Sequence, residues 1–262
     1  MVETKEPMIF ESHAHYDDAA FDEDREELLL SMPEKGVSHI VNVAASVESL
    51  EDIKNLMKKY SFVYGAFGIH PDDVGHLSDE VLKQIRELCK LEKTVAIGEI
   101  GLDYYWDKES HDVQKKWFEQ QMEVAREEKL PFIIHSREAA ADTVDMAKGL
   151  KAGDIGGIVH CFSYGKEIAR EYLNMGLYIG IGGVITFKNA KKLKEVVEYV
   201  PLEQLLLETD CPYLAPAPYR GKRNTSLLIP YIAKEIAAIK GISYEEVVRT
   251  THTNAMKVFN LK

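Results

Sequence analysis

Histidine and carboxylate side chains, the usual ligands of catalytic metals, recur along the chain, and the first two are closely spaced. His13 and His15 form a His-x-His pair. In an extended segment, residues two apart point to the same side and lie about 6.6 Å apart along the chain, so both imidazoles can converge on one ion. The pair alone is a weak signal, because two ordinary polar residues give the same pattern.

Four further residues of this kind follow short apolar runs. They are Glu99 after Val95–Ile97 and Gly98, His135 after Phe132–Ile134, His160 after Gly157–Val159, and Asp210 after Leu205–Leu207. Singly, each has a structural explanation: an ion pair for Glu99, a hydrogen-bonded core histidine for His135 or His160, and a helix N-cap or turn for Asp210. Their joint occurrence at the ends of apolar runs indicates one shared site.

This set of donors predicts a particular kind of metal centre. Four histidines and two carboxylates are too many for one tetrahedral zinc with an open position, but they suit two divalent ions that share a bridging carboxylate. Two ions about 3.5–4 Å apart can generate hydroxide at neutral pH and hold both oxygens of a phosphoryl displacement. Mixed histidine and carboxylate ligands suit Zn²⁺, Mn²⁺, Fe²⁺ and, less well, Mg²⁺.

The elements that must position these residues form a repeating pattern. Eight short apolar runs alternate with longer amphipathic stretches, as expected for βα units around a parallel sheet. The candidate strands are Met8–Ser12, His39–Ala44, Val63–Phe67, Val95–Ile97, Phe132–Ile134, Gly157–Val159, Leu177–Ile179 and Leu205–Leu207. The pattern predicts one α/β domain over residues 1–262, a (β/α)₈ TIM barrel whose functional face is at the carboxyl ends of its strands.

Several residues mark where helices should begin and end. Val113–Lys129 has apolar residues at helical spacing, Ser78 is a candidate N-cap, and Gly176 is a candidate stop. Ser243 and Glu246 form a capping-box pattern that opens a C-terminal helix.

Composition narrows the class of protein. The chain has 262 residues, 45% apolar and 29% charged, and no run of about 18 apolar residues that would span a bilayer. The N-terminal MVETKEPMIF lacks a secretory signal pattern, and three cysteines without a CxxC pair predict reduced thiols, so we expect a cytoplasmic protein.

A net charge of -11 opposes a polyanion at long range, so a nucleic-acid substrate needs a local basic patch or metal ions. No assembly segment is evident, and we expect a monomer.

Ordered motifs give the sequence a family resemblance. They are ESHAH (Glu11–His15), GIHP (Gly68–Pro71), GEIGLDYY (Gly98–Tyr105), HSREA (His135–Ala139), HCFS (His160–Ser163), LLLETDCPYLAP (Leu205–Pro216), RGKRN (Arg220–Asn224) and NAMKVF (Asn254–Phe259). Along nearly its whole length the chain resembles the TatD-type metal-dependent deoxyribonucleases, a branch of the amidohydrolase-like barrels.

The resemblance implies a role for each ligand. It implies that His13, His15, Glu99 and Asp210 bind one metal and that Glu99, His135 and His160 bind the other. Glu99 would be the bridge. Asp210 would also be the general base that deprotonates the attacking water.

Substrate contacts are expected from a second set of residues. His70 in GIHP is a candidate phosphate contact, with a strand-end turn as the alternative. The candidate basic patch is Arg137, Arg220, Lys222 and Arg223, with Asn224 beside it, and the alternative for it is a solvated loop. Tyr104, Tyr105, Trp106, Phe162 and Tyr164 are candidates for stacking on unpaired bases, or for packing the loops.

Three positions depart from the family pattern. Glu11 stands where Asp is usual, Tyr164 where Gly is common, and Ser226 where Pro is common. The extra methylene of Glu11 is expected to affect how the ligands are oriented, and the other two bear on substrate preference.

Three hypotheses for function follow. The first is hydrolysis of DNA phosphodiester bonds from a single-stranded or frayed end, an exonuclease activity that the resemblance implies. The second is hydrolysis of a small amide, lactone or phosphoester, because one barrel serves many reactions. The third, a non-catalytic metal-binding scaffold, is disfavoured because all six ligand positions are filled.

Overall fold

A computed structural model describes residues 8–106 and 108–262, and within them the chain forms eight β-strands. The strands are β1 (Ile9–Ala14), β2 (Val37–Val43), β3 (Val63–Ala66), β4 (Thr94–Asp103), β5 (Phe132–Arg137), β6 (Gly157–Val159), β7 (Tyr178–Ile181) and β8 (Leu205–Leu207). The interpretation of MVETKEPMIF as lacking a signal peptide falls largely on residues 1–7, outside the described part.

The eight strands form one parallel sheet whose order follows the sequence, β1 to β8. The last strand returns to the first, because Ser12 Oγ donates to the carbonyl of Leu207 at 2.9 Å and Ala14 forms a bridge with Cys211. The sheet is therefore a nearly closed barrel.

Helices connect successive strands and surround the sheet. In the described ranges they are α1 (Arg25–Ser31), α2 (Ser49–Lys59), α3 (Asp79–Leu88), α4 (His111–Glu128), α5 (Ala140–Gly149), α6 (Ala152–Ile155), α7 (Lys166–Asn174), α8 (Lys191–Tyr199), α9 (Ile229–Lys240) and α10 (Tyr244–Val258). This architecture confirms the predicted (β/α)₈ TIM barrel with a C-terminal helix.

The predicted helix boundaries agree with the structure within a few residues. Ser78 Oγ accepts from the Val81 amide at the start of α3, and Ser243 Oγ accepts from the Glu246 amide at the start of α10. Gly176 follows α7 with a φ of 76°, a conformation in which glycine is favoured.

The clearest difference from the predicted strands is at β4. We expected Val95–Ile97, but the strand continues to Asp103, with a register shift against β5 between Ile97 and Ile100. An apolar pattern ends the prediction at the first polar side chain, whereas the backbone continues to pair beyond it. Glu99 therefore lies within a buried strand.

A packed cluster of side chains fills the inside of the barrel. It has one member or more from every strand, and it includes Phe10, Val41, Ala66, Val95, Ile133, Ile158, Tyr178 and Leu206. Side chains from all eight strands can meet only on the inner face of the sheet. Phe259, just after α10, stacks on Phe10 with ring centroids 5.6 Å apart and closes the amino-terminal end. The opposite end of the barrel is left for the polar side chains.

No helix in the described ranges has the length and apolar content needed to cross a lipid bilayer.

Candidate metal centre

A cavity of about 660 Å³ opens where the strands end, and five of the six expected ligands line it. These are His15, Glu99, His135, His160 and Asp210. His13 is fully buried directly beneath them. At β5 and β6 the inside of the barrel therefore changes from the apolar Ile133 and Ile158 to His135 and His160 within two residues.

One group of donors converges on a single point. His13 Nε2 lies 3.1 Å from His15 Nε2, 3.4 Å from Glu99 Oε2 and 3.7 Å from Asp210 Oδ1. His15 Nε2 lies 3.3 Å from Asp210 Oδ1 and 3.8 Å from Glu99 Oε2. Four donors arranged tetrahedrally at about 2.1 Å from one ion would be about 3.4 Å apart, so this group fits a divalent metal.

A second group shares the other oxygen of Glu99. Glu99 Oε1 lies 2.5 Å from His160 Nε2 and 2.8 Å from His135 Nδ1, and the two ring nitrogens are 3.3 Å apart. The two oxygens of one carboxylate thus face two separate sets of imidazoles. This is the arrangement expected of a bridging ligand.

One backbone carbonyl and one carboxylate orient two of the histidines toward the centre. His15 Nδ1 donates to the Val43 carbonyl at 2.8 Å, which leaves its Nε2 free to bind a metal. His135 Nε2 donates to Asp103 Oδ2 at 2.9 Å, which leaves its Nδ1 free in the same way. Ring hydrogen bonds of this kind are typical of metal-binding histidines.

His70 differs from both, because the ring nitrogen that faces the cavity carries the proton. Its Nδ1 accepts from the Asp72 amide at 3.1 Å, so a neutral His70 must carry its proton on Nε2. That nitrogen lies 3.8 Å from Glu99 Oε1. Although its position would suit a metal ligand, His70 therefore presents an N–H donor to the cavity.

Asp103 is a residue that the sequence analysis missed. Its Oδ2 holds His135, and its Oδ1 accepts from the amides of Tyr105 and Trp106, each at 2.9 Å. One carboxylate thus connects His135 to the loop after β4. The available signal was the spacing of four residues from Glu99 inside GEIGLDYY, but it required knowing that β4 continues so far.

Some of the expected substrate contacts line the cavity and others lie outside it. His70 and Arg137 line the cavity, and the Arg137 guanidinium lies 3.9 Å from the Tyr105 ring centroid. The residues of the RGKRN loop do not line it. Arg223 pairs with Asp24, and Arg220 lies over the Phe187 ring.

Asn224 and Lys222 complete this loop. Asn224 is fully buried, and its Nδ2 donates to the carbonyls of Thr209 and Tyr213 at 3.0 and 2.7 Å. The side chain of Asn224 thus holds the loop that follows Asp210, while Lys222 is exposed at its surface.

The three departures from the family pattern have structural partners. Glu11 is buried, and its carboxylate accepts from the Thr209 amide and hydroxyl at 2.9 and 2.6 Å, which ties β1 to the end of β8. The Tyr164 hydroxyl contacts Ser136 Oγ at 3.0 Å, and Ser226 Oγ contacts the Tyr16 hydroxyl at 2.8 Å.

Residues 10–260 match the family described as TatD related DNase. The chain belongs to this family. YabD of Bacillus subtilis, an uncharacterized metal-dependent hydrolase, is 43% identical over 97% of this chain and 100% of its own length. YcfH of Escherichia coli strain K12, also an uncharacterized metal-dependent hydrolase, is 34% identical over 97% of this chain and 96% of its own.

A solved structure agrees with this assignment. The crystal structure of YJJV, a TatD homolog from Escherichia coli k12, superposes with a TM-score of 0.91 at 29% identity and covers 97% of this chain and 98% of that one. The chain is thus a metal-dependent hydrolase of the TatD family.

The carboxylates of this TatD centre raise the pKa of two histidines. Burial opposes protonation of His15, but the hydrogen bond and charge of Asp210, together with Glu99, raise its pKa to about 10. Burial likewise opposes protonation of His135, but Asp103 and Glu99 raise its pKa to about 9. In contrast, burial and the charge of His160 lower the pKa of His13 to about 4. Metal-free protein at pH 7 should hold protons on His15 and His135.

We expect Mn²⁺ binding at pH 7 to release about two protons per TatD chain, because a metal ligand must give up its proton. Both raised pKa values lie above 7, so Mn²⁺ affinity should weaken as the pH falls. Calorimetric titration in two buffers of different ionisation enthalpy measures the number released. His15→Gln should release about one proton fewer. Identical binding heats in the two buffers would contradict this account.

Proposed function

We propose that this TatD-family chain is a two-metal hydrolase that cleaves DNA phosphodiester bonds at an unpaired end. The observation that carries the proposal is the cavity itself, whose floor is built from metal-ligand groups and whose mouth carries Arg137 between exposed aromatic side chains. The family description, TatD related DNase, supports the same substrate class.

The donor set fits two divalent ions. His13, His15, Glu99 and Asp210 would hold one, and Glu99, His135 and His160 would hold the other. Bound there, the ions would lower the pKa of a water molecule and offset the charge of the phosphodiester.

Asp210 is the residue placed to move the proton. Its side chain is 17% exposed and lines the cavity, whereas His13 is fully buried. The amide of Asp210 donates to the His13 carbonyl at 3.0 Å, which fixes the carboxylate above the floor. A carboxylate held there accepts a proton from a water molecule that attacks phosphorus.

His70 and Arg137 are placed to hold the phosphate. The Nε2 proton of His70 faces the cavity and can be donated to a non-bridging oxygen, and Arg137 supplies a guanidinium of opposite charge to the phosphate. Arg137 is the one arginine or lysine among the described residues that line the cavity. Of the expected basic patch, Arg220, Lys222 and Arg223 lie outside the lining of the cavity, and Arg137 alone is left at its mouth.

The aromatic side chains favour an unpaired end as the substrate. Tyr105, Trp106 and Tyr213 are each more than half exposed, and Trp106 and Tyr213 line the cavity. Exposed aromatic rings beside a phosphate site suit bases that are not stacked in a duplex. A pocket of about 660 Å³ is also of the size that holds a small ligand, so one terminal nucleotide would enter at a time.

We expect Mn²⁺-loaded protein to shorten an end-labelled single-stranded oligonucleotide in steps from one end. Removal of the proton acceptor in Asp210→Asn should slow this about 100- to 10,000-fold, and chelation should stop it. Gel analysis of the products measures both the rate and the polarity.

The matched control is Glu203→Gln, which changes an exposed acid outside the cavity and should cleave at the wild-type rate. Absence of cleavage with every divalent ion tried would contradict the DNA proposal and favour a small ester or amide as the substrate.

A second prediction concerns the mouth of the cavity. Trp106→Ala should raise KM for the oligonucleotide roughly fivefold or more, because a base stacked on an aromatic ring contributes about 1–3 kcal/mol. The KM for a small chromogenic phosphodiester should stay unchanged. Tyr199→Ala, which removes an exposed aromatic ring on α8, is the matched control.

Charge reversal tests whether DNA binds along the RGKRN loop instead of at the mouth of the cavity. Arg220→Glu with Lys222→Glu should change KM less than Trp106→Ala does, because neither residue lines the cavity. A larger effect of the double variant would show that DNA lies along the RGKRN loop instead.

A further inference from the structure

His160 differs from the two histidines whose rings are fixed by hydrogen bonds. His15 and His135 each donate their second ring nitrogen to an acceptor, but His160 Nδ1 is buried and has no hydrogen-bond partner among the described residues. A metal-binding imidazole normally needs such a partner to set its orientation. The backbone that carries His160 must therefore be held in another way.

Three consecutive amides around His160 have separate acceptors. The His160 amide donates to the Ile134 carbonyl at 3.1 Å, and the Phe162 amide donates to the Gly180 carbonyl at 3.2 Å. The amide of Cys161, between them, donates to Glu208 Oε1. Cys161 has a φ of 44°, a left-handed conformation that a residue with a side chain adopts only when its surroundings hold it there.

Glu208 reaches this amide from β8 by crossing β7. Leu206 and Tyr178 belong to the cluster inside the barrel, so Glu208 and Gly180, each two residues further on, face the same interior. A Cβ at Gly180 would lie 2.2 Å from Glu208 Oε2, and the three atoms nearest to it all belong to the Glu208 carboxyl group. Because Gly180 has no side chain, the Glu208 carboxyl group can occupy this space.

The Glu208 carboxyl group is otherwise unexplained. It is fully buried, and Oε2 has no hydrogen-bond partner among the described residues. Its Oε1 accepts from the Cys161 amide, as a carboxyl oxygen can whether the group is ionised or neutral. Because buried polar groups are normally hydrogen-bonded, the contact with the Cys161 amide is the interaction that accounts for a carboxyl group at this position.

We propose that Glu208 is a positioning residue for the metal centre: its carboxyl group, seated against Gly180, holds the Cys161 amide and so directs the His160 imidazole toward Glu99. The inference rests on the proposed metal centre. It assigns to Glu208 the orienting function that a ring hydrogen bond serves for His15 and His135.

The test compares three variants by Mn²⁺ titration and by the electron paramagnetic resonance signal of two adjacent Mn²⁺ ions. Glu208→Leu removes the acceptor and should weaken binding of the second Mn²⁺ about 10- to 100-fold and abolish the coupled signal. Glu208→Gln keeps a neutral acceptor oxygen and should restore both. Gly180→Ala retains Glu208 but displaces its carboxyl group, so it should reproduce the loss even if the leucine variant fails to fold.

The possible results separate the two proposals. Wild-type affinity for both ions in Gly180→Ala, or equal loss in Glu208→Gln and Glu208→Leu, would overturn the role of Glu208 while the metal centre stands. Wild-type protein that binds no Mn²⁺ would overturn the metal centre and the role of Glu208 together.

Discussion

Glu99 is held 3% exposed inside the barrel, with one carboxylate oxygen facing His13 and His15 and the other facing His135 and His160. A carboxylate at this depth costs several kcal/mol in lost hydration unless charges or hydrogen bonds offset it. Burial alone would raise the pKa of Glu99, but the neighbouring imidazoles His160 and His13 hold it well below its usual range. The strands that carry these histidines can be understood as the support for this one buried charge, because β1, β5 and β6 must each end with an imidazole close to the Glu99 carboxylate.

The support differs from one histidine of the proposed metal centre to the next. The Val43 carbonyl orients His15, and the Asp103 carboxylate orients His135. Asp103 also accepts from the amides of the aromatic loop, so the position of a ligand at the floor and the shape of the mouth depend on the same group. The free-energy cost of burying these polar groups is thus offset by hydrogen bonds that also set the geometry of the site. For this reason an apolar core and a highly charged site can share one barrel.

Much of this arrangement could be predicted from the sequence, for a physical reason. The three-residue runs that precede His135 and His160 are visible locally, and the carboxyl ends of parallel strands meet at one edge. The placement of these two histidines therefore followed from the strand pattern. Asp103 was missed because its role depends on the extension of β4 past Glu99, which no local pattern indicates. The RGKRN motif identified basic residues but did not indicate where their side chains point. In the structure Arg223 pairs with Asp24, and Asn224 is buried against backbone carbonyls. Long-range contacts of this kind are set by tertiary structure.

The bridging role of Glu99 is tested most directly by the position of bound metal in a crystal soaked with Mn²⁺, measured by anomalous scattering. Two peaks are expected on opposite sides of the Glu99 carboxylate, one among His13, His15 and Asp210 and the other beside His135 and His160. A single peak, or a peak bound to Nε2 of His70, would contradict the bridging role of Glu99.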